Sequence, residues 1–182
     1  MYFNSVGEIN TNDTAVLALK VAVERNIKYI IVASSSGDTA KLLKNTNDTN
    51  IICVTHANGY PEPGKNEMTQ EMRSELADLG IKVLTTTHVL SGAERGISKS
   101  FGGAYPVEII AHSLRMLGQG TKVCVEVSIM ALDAGLIPYR EPIIAIGGTG
   151  RGADTAVIIT PSYASSIFET KIHEIICKPC YY

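Results

Sequence analysis

Short, unbroken apolar runs rich in β-branched residues place the strongest constraint on how this chain folds. Tyr29–Ala33 and residues 51–54 are the clearest, and neither alternates apolar with polar side chains. Such runs suit parallel strands that are covered by helices on both faces, because both sides of each strand are then buried. They predict an α/β sheet rather than a sheet with one face in water.

Helical segments separate the apolar runs. The first is expected at residues 12–25, capped by Thr11 or Asn12, with Val16, Leu19, Lys20 and Val23 on one amphipathic face. Further helices are expected at residues 69–79, 107–117 and 129–134, with one short helix between 88 and 103. Strands are expected at residues 29–33, 50–56, 81–85, 121–127, 142–146, 155–160 and 172–177.

This order predicts a three-layer αβα sandwich built on a mostly parallel sheet. The loop between strands 142–146 and 155–160 is too short to hold a crossover helix, so these strands are expected to pair antiparallel at a C-terminal edge. The chain has 182 residues and is 45% hydrophobic, which suits a single domain over residues 1–182.

Bulk properties exclude several classes of function. The net charge is −2, from 16 basic and 18 acidic side chains that are scattered rather than clustered, so nucleic acid is not an expected partner. No run approaches the roughly 20 apolar residues of a membrane span. The first residues lack a signal-peptide pattern, so a cytoplasmic location is expected. Association with further copies of the chain stays open.

The four cysteines do not suggest a disulfide framework. Cys53 and Cys124 lie in strand-like apolar runs and are expected to be buried. Cys177 and Cys180 form a C-x-x-C pair, but no second pair exists to complete a zinc site. We therefore predict no metal site and favour a structural role for the pair.

Candidate ligand-binding residues gather where the predicted strands end. In an open α/β sheet, ligands bind beyond the carboxyl ends of the strands. Thr86 and Thr87 lie in this position too, because they follow the strand expected at residues 81–85. The candidates are Ser34, Ser35, Ser36, Gly37, Asp38 and Thr39, then Thr55, His56 and His88, then Gly147, Gly148, Thr149, Arg151, Gly152, Asp154 and Thr155.

The serine loop, residues 34–39, is the strongest of these candidates. Small residues between a strand and a helix let backbone N–H groups approach an anion, and the helix start adds partial positive charge. The hydroxyl groups can donate further hydrogen bonds to phosphate oxygens. The alternative is that one of them merely caps the helix. No Gly-Lys-Ser/Thr sequence is present, so this is not a Walker motif.

The remaining candidates have two interpretations each. Arg151 either pairs with phosphate or faces solvent, and Asp154 either accepts from ligand hydroxyls or serves the turn. His56 and His88 suit acid–base chemistry, hydrogen bonding or stacking on a ring. Glu126 lies in an apolar run, where a carboxylate is costly unless it is paired, and structural pairing is the favoured interpretation.

Two segments resemble the C-terminal regulatory domain of pyruvate kinase. Residues 30–40 (IIVASSSGDTA) followed by 51–55 (IICVT) are similar to its strand, Ser-Gly-x-Ser/Thr-Ala loop and next strand, and 150–158 (GRGADTAVI) to its last glycine loop and terminal strand. In those kinases the two loops hold a sugar-phosphate effector. Asp38 stands where the kinases often have Arg, which argues against sugar-bisphosphate regulation. The catalytic barrel is absent, so pyruvate kinase activity is not expected.

Over nearly its whole length the chain looks closer to a stand-alone family from archaea and anaerobic bacteria, described as pyruvate kinase α/β-domain-like. The shared segments are 91–95 (SGAER), 124–127 (CVEV), 131–135 (ALDAG) and 151–156 (RGADTA). This resemblance implies bound flavin mononucleotide (FMN) and, if the flavin is functional, redox chemistry. The alternatives are a sensor for a sugar phosphate or nucleotide, and an enzyme that uses His56 or His88 without flavin.

Overall fold

The computed structural model describes residues 1–44 and 48–181, which form one mixed sheet with helices on both faces. The strands in this part of the chain are β1 (Tyr2–Phe3), β2 (Tyr29–Ala33), β3 (Asn50–Val54), β4 (Lys82–Leu84), β5 (Ile143–Gly147), β6 (Thr155–Thr160) and β7 (Lys171–Pro179). The α-helices are α1 (Thr11–Glu24), α2 (Asp38–Lys41), α3 (Gln70–Asp78), α4 (Gly92–Phe101), α5 (Pro106–Arg115) and α6 (Gln119–Asp133). The described residues also form two 3-10 helices, at Glu8–Asn10 and Ala164–Glu169.

The strand order across the sheet is β1-β7-β6-β5-β2-β3-β4. Strands β5, β2, β3 and β4 run parallel to one another, whereas β6 is antiparallel to both β5 and β7. The antiparallel pairing predicted for the strands around the glycine loop is confirmed. The outer edge on that side is β1, which pairs parallel with β7 and was not predicted.

Two apolar cores fill the spaces on the two faces of the sheet, which confirms the three-layer αβα arrangement. Successive residues of β2 pack in different cores. Ile30 belongs to the core on the α1 face of the sheet, and Ile31 belongs to the core on the α6 face. All three of Ile30, Ile31 and Val32 are fully buried, as expected for a strand covered by helices on both faces.

Helix α1 turns a different face to the sheet from the one predicted. Ala15, Ala18 and Ala22 are buried, whereas Val16 and Val23 are 63% and 76% exposed. The assignment of the valines to the packed face was wrong. Alanine has no side chain beyond Cβ, so this face lets the helix backbone approach the sheet closely.

The strand predicted at residues 121–127 is also wrong, because this segment is the first half of α6. The helix predicted at 129–134 is its second half. Nearly every residue of α6 between Gly120 and Leu132 is buried, so apolar side chains occur all round it. A helix that is buried on every side lacks the 3.6-residue periodicity that distinguishes a helix from a strand.

The cysteines are all free. Cys53 and Cys124 are fully buried, as predicted, although Cys124 lies on α6 rather than on a strand. Cys177 is buried in β7 and Cys180 is exposed just after it. Burial raises the pKa of the Cys177 thiol, which makes it a poor nucleophile.

Candidate functional site

A cavity of about 470 Å³ opens beyond the carboxyl ends of β2, β3 and β5. It lies at the point where the sheet changes direction: from β2 the chain proceeds to β3 and β4 on one side, and it returns later to place β5 on the other. Such a switch point leaves a crevice between the loops that follow neighbouring strands. Four loops and the start of α6 form the walls of this cavity.

The serine loop forms the wall beyond β2. Ser34, Ser35, Ser36 and Thr39 line the cavity. The Ser36 hydroxyl donates a hydrogen bond of 2.8 Å to Asp38 Oδ2. Among residues 1–44 and 48–181, the hydroxyls of Ser34, Ser35 and Thr39 have no hydrogen-bond partner. Three hydroxyl donors therefore remain available to a molecule in the cavity.

The helix that follows the serine loop is too short to supply the partial positive charge that was expected at its start. Helix α2 spans only Asp38–Lys41, and no side chain caps its first turn. A single turn carries only a small part of the dipole of a long helix. Any anion held here would depend on the hydroxyls and on charges elsewhere in the cavity, rather than on α2.

The glycine loop, residues 147–154, forms the wall beyond β5. Gly148, Gly150, Arg151 and Gly152 line the cavity. Arg151 is exposed, and its guanidinium makes no ion pair within the part of the chain that the structure describes. It is therefore a positive charge that is free to pair with an anion.

Asp154 anchors the glycine loop through hydrogen bonds on the side away from the cavity lining. It is fully buried, and its Oδ2 accepts hydrogen bonds from the backbone N–H groups of Gly7 (2.9 Å) and Thr149 (3.1 Å). Its Oδ1 accepts from the Thr155 hydroxyl at 2.7 Å. These contacts support the turn interpretation of Asp154, since they leave it away from the cavity lining.

The start of α6 forms a third wall. Gln119, Lys122, Val123, Glu126 and Val127 line the cavity. Helix α6 is 15 residues long, and no side chain caps its first turn. The unpaired N–H groups at the start of a helix of this length favour a nearby anion.

A buried ionic cluster joins α6 to the loop after β4. Lys122 Nζ donates to Glu126 Oε2, and His88 Nδ1 lies 3.5 Å from the same oxygen. Glu126 Oε1 accepts from the Leu90 N–H at 3.0 Å. Burial raises the pKa of Glu126, but the hydrogen bond from His88 and the charge of Lys122 outweigh it and bring the pKa down to about 2. Glu126 is thus an ionised carboxylate with structural partners, as the sequence suggested.

His56 follows β3 and belongs to a second histidine–carboxylate pair. Its Nδ1 makes a close contact with Glu67 Oε2. The ring of Tyr60 lies edge-on to the His56 ring at 4.6 Å, and the His88 ring lies 5.6 Å away, both measured between centroids. The neighbouring Thr55 is buried, and its hydroxyl lies 2.7 Å from the Thr85 hydroxyl.

The structure brings ten of the predicted residues to one cavity and leaves six outside its lining. Those in the lining are Ser34, Ser35, Ser36, Thr39, Thr55, His56, His88, Gly148, Arg151 and Gly152. Those outside it are Gly37, Asp38, Gly147, Thr149, Asp154 and Thr155.

Sequence reasoning missed several lining residues. Tyr60 and Glu67 belong to the loop after β3, whose position beyond a strand end was a usable signal. Lys122 and Val123 were missed because their segment was assigned to a strand, and Gln119 was missed because it lies between two glycines, Gly118 and Gly120, that were expected to end the preceding helix. Thr86 and Thr87 line a separate cavity of about 330 Å³ beside Asp133.

A larger cavity of about 650 Å³ lies elsewhere, between α5 and the second 3-10 helix. Its lining is apolar apart from the hydroxyls of Ser113 and Thr170. It offers no charge or acid–base group, so the smaller polar cavity is the better candidate for chemistry.

In residues 1–44 and 48–181, no cluster of three or more His, Cys, Asp or Glu side chains suits a metal ion. Across the same residues, no helix has the length and apolar character needed to cross a membrane.

Comparison with known proteins gives a family match and structural matches. A family model described as pyruvate kinase, alpha/beta domain, matches residues 12–159. Solved structures that resemble the chain include a pyruvate kinase from Cryptosporidium parvum, at 18% identity and a TM-score of 0.41, where the match covers 76% of this chain and 20% of that one. A second, of C. parvum pyruvate kinase in complex with ADP, matches at 18% identity and a TM-score of 0.42, and covers 90% of this chain and 23% of that one.

The chain thus spans less than a quarter of the length of these kinases. The family match covers most of the chain, including β2 to β5, α2 to α6 and nearly all of α1 and β6. The chain therefore belongs to the pyruvate kinase alpha/beta domain family.

Proposed function

We propose that the cavity at the carboxyl ends of β2, β3 and β5 binds a small molecule that carries a phosphate group. The observation that carries this proposal is that one lining holds three hydroxyls, on Ser34, Ser35 and Thr39, together with the guanidinium of Arg151, and that none of these groups has a partner among the described residues. Hydroxyl donors and an arginine are the groups that recognise phosphate oxygens.

FMN is the leading candidate for this ligand. The support for it is the resemblance of segments 91–95 and 151–156 to the stand-alone, FMN-associated family. The residues present fit such a group: the serine loop and Arg151 would hold the phosphate, and His56 and Tyr60 would flank the ring. A cavity of about 470 Å³ also lies within the usual range of about 300–1,000 Å³ for cofactor sites. When bound, FMN would supply redox chemistry, and the protein would tune it through nearby hydrogen bonds.

The spectrum of freshly purified protein tests the FMN assignment. We expect a yellow protein with flavin absorption bands, and we expect mass spectrometry of the released small molecules to show FMN. A colourless protein that takes up no added FMN would exclude FMN as the ligand. The phosphate site would then be tested separately.

A second candidate function is a sensor that binds a sugar phosphate or nucleotide without turning it over. The polar lining, with hydroxyls, Gln119 and paired charges, favours it because a polyhydroxylated ligand needs many hydrogen-bond partners. A ligand that binds only the native state raises the melting temperature in proportion to the logarithm of its concentration above Kd. A melting temperature that rises with sugar phosphates or nucleotides but not with FMN would favour the sensor.

A further inference from the structure

Two histidines line the cavity, and their hydrogen bonds differ in a way that separates their roles. His88 has acceptors near both ring nitrogens: Nε2 lies 3.3 Å from the Thr55 carbonyl oxygen, and Nδ1 lies 3.5 Å from Glu126 Oε2. Both of its nitrogens are therefore engaged with the protein. A ring held in this way orients its neighbours but has no free nitrogen to offer a ligand.

His56 has only one nitrogen engaged. Its Nδ1 contacts the Glu67 carboxylate, while its Nε2 has no partner among residues 1–44 and 48–181. The side chains of His56 and Glu67 are 41% and 32% exposed, and both residues line the cavity. A carboxylate at Nδ1 selects the tautomer with the proton on Nδ1, which leaves the lone pair on Nε2.

We propose that His56 is the acid–base residue of the cavity and that Glu67 is its positioning residue. Neutral His56 accepts a proton on Nε2 from the N–H or O–H group of the bound ligand; that bond breaks, the ligand keeps the electron pair as an anion, and the resulting imidazolium is stabilised by Glu67. The reverse step returns the proton from Nε2, so the ring ends as it began. Imidazole suits this role because it changes charge near neutral pH.

This inference rests on the proposed function, because the ligand must be held where His56 can reach it. The phosphate is held by the serine loop and Arg151, and the proton-exchanging part of the ligand then lies toward the loop after β3. The ligand class is a phosphate-bearing molecule with an ionisable N–H or O–H group, which includes FMN. The titratable and charged groups around His56 are Glu67 and Tyr60 on its own loop, His88 on the loop after β4, Glu126 and Lys122 on α6, and Arg151 on the glycine loop.

The first arm of the test needs no ligand. Correlation of ring ¹⁵N and ¹H signals reports which nitrogen of a neutral histidine ring carries the proton. The chain has only four histidines, so single His→Gln variants assign the signals. We expect the proton on Nδ1 for His56. Glu67→Ala should shift it to Nε2, and Glu67→Asp should restore Nδ1. A proton on Nε2 of His56 in the unmodified protein would overturn the proposal.

The second arm measures proton exchange on binding. FMN and inorganic phosphate are titrated calorimetrically in two buffers with different ionisation enthalpies, which gives the number of protons taken up or released. A ligand that gives its proton to Nε2 needs neutral His56, so its binding releases to the buffer the proton that a fraction of the free protein carries on that nitrogen. We expect His56→Gln, which has no such proton, to bind FMN with a proton count reduced to that of inorganic phosphate. His112→Gln, on α5 and outside this cavity, should keep the count of the unmodified protein.

The outcomes separate the two proposals. If FMN binds and His56→Gln leaves the proton count unchanged, the acid–base role is wrong and the phosphate site stands. If neither FMN nor inorganic phosphate binds, the proposed function is wrong and the acid–base role falls with it.

Discussion

Gly120, in the first turn of α6, lies directly against Thr155 at the start of β6. A β-carbon at position 120 would come within 2.1 Å of the Thr155 hydroxyl oxygen and 2.8 Å of Asp154 Oδ1. The missing side chain lets the helix start lie against the residues that anchor the glycine loop. Two walls of the cavity, α6 and the glycine loop, are thereby held in fixed relation.

Gly120→Ala should destabilise the protein although alanine favours helices. The added methyl group cannot move away from Thr155 and Asp154 without shifting the helix or the loop, and overpacking of this kind costs about 1–3 kcal/mol. Urea unfolding measures the change in the free energy of unfolding.

Gly96→Ala is the matched control. Gly96 lies inside α4, and a β-carbon there would meet nothing within 4 Å. It should stabilise the protein by up to about 1 kcal/mol, because alanine is the better helix former. Equal effects at the two positions would show that the contact with Thr155 does not matter.

Asp154→Ala should loosen the glycine loop as well as destabilise the fold. It removes a buried acceptor of three hydrogen bonds and leaves the Gly7 N–H without its partner. Loss of three hydrogen bonds to a buried carboxyl group should cost about 3 kcal/mol or more. Hydrogen exchange of the Thr149 amide should accelerate in parallel, which reports the loop itself.

Asp133→Ala is the comparison for that variant. Asp133 is exposed, and its Oδ1 accepts a hydrogen bond of 3.2 Å from the Ala164 N–H. We expect a loss of stability below about 1 kcal/mol and an unchanged Thr149 exchange rate. A loss at position 154 no larger than this would contradict the anchoring role of Asp154.

Glu126 should make stability depend on acid pH. Its pKa is about 2 in the folded protein against an ordinary value of 4.5, so its stabilising contribution is full above pH 4.5 and is lost as the pH falls toward 2. A fall of this size in the pKa of one carboxyl group corresponds to about 3 kcal/mol. The gap in unfolding free energy between the unmodified protein and Glu126→Gln should therefore shrink by that amount between pH 4.5 and 2.

Glu24→Gln is the control for this pH series, because Glu24 forms an exposed pair with Lys20 on the surface of α1. Exposed pairs of this kind contribute little, so its effect should stay below about 1 kcal/mol. A gap for Glu126→Gln that does not change with pH would mean that Glu126 is not ionised in the buried cluster.

Most of the sheet was predictable, because fully buried strands carry a signal in their own residues. Ile30 to Val32 are apolar on both faces of the sheet and could be assigned without knowing their neighbours. Helix α6 carries the same signal for a different reason, since it is buried all round, and only tertiary packing distinguishes the two. The packed face of α1 was missed because it uses alanines, which are too weakly apolar to stand out beside valines.

The part of the candidate site whose residues directly follow the strands was predictable from the sequence. Ser34, Thr55 and His56 come directly after parallel strands, so sheet geometry alone brings them together. Lys122 and Gln119 approach from a helix whose position no local pattern encodes. The roles of Asp154 and His88 depend on partners distant in the chain, Gly7 and Glu126, which sequence spacing does not reveal.

The most direct test of the phosphate site compares the binding of FMN with that of riboflavin, which lacks only the phosphate. Hydrogen bonds and an ion pair from the serine loop and Arg151 should make FMN bind about tenfold to a hundredfold more tightly. Arg151→Gln should narrow that ratio, whereas Arg25→Gln, whose guanidinium pairs with Glu174 outside the cavity, should leave it unchanged. Equal affinities for FMN and riboflavin in the unmodified protein, or a ratio that Arg151→Gln does not alter, would contradict a phosphate site in this cavity.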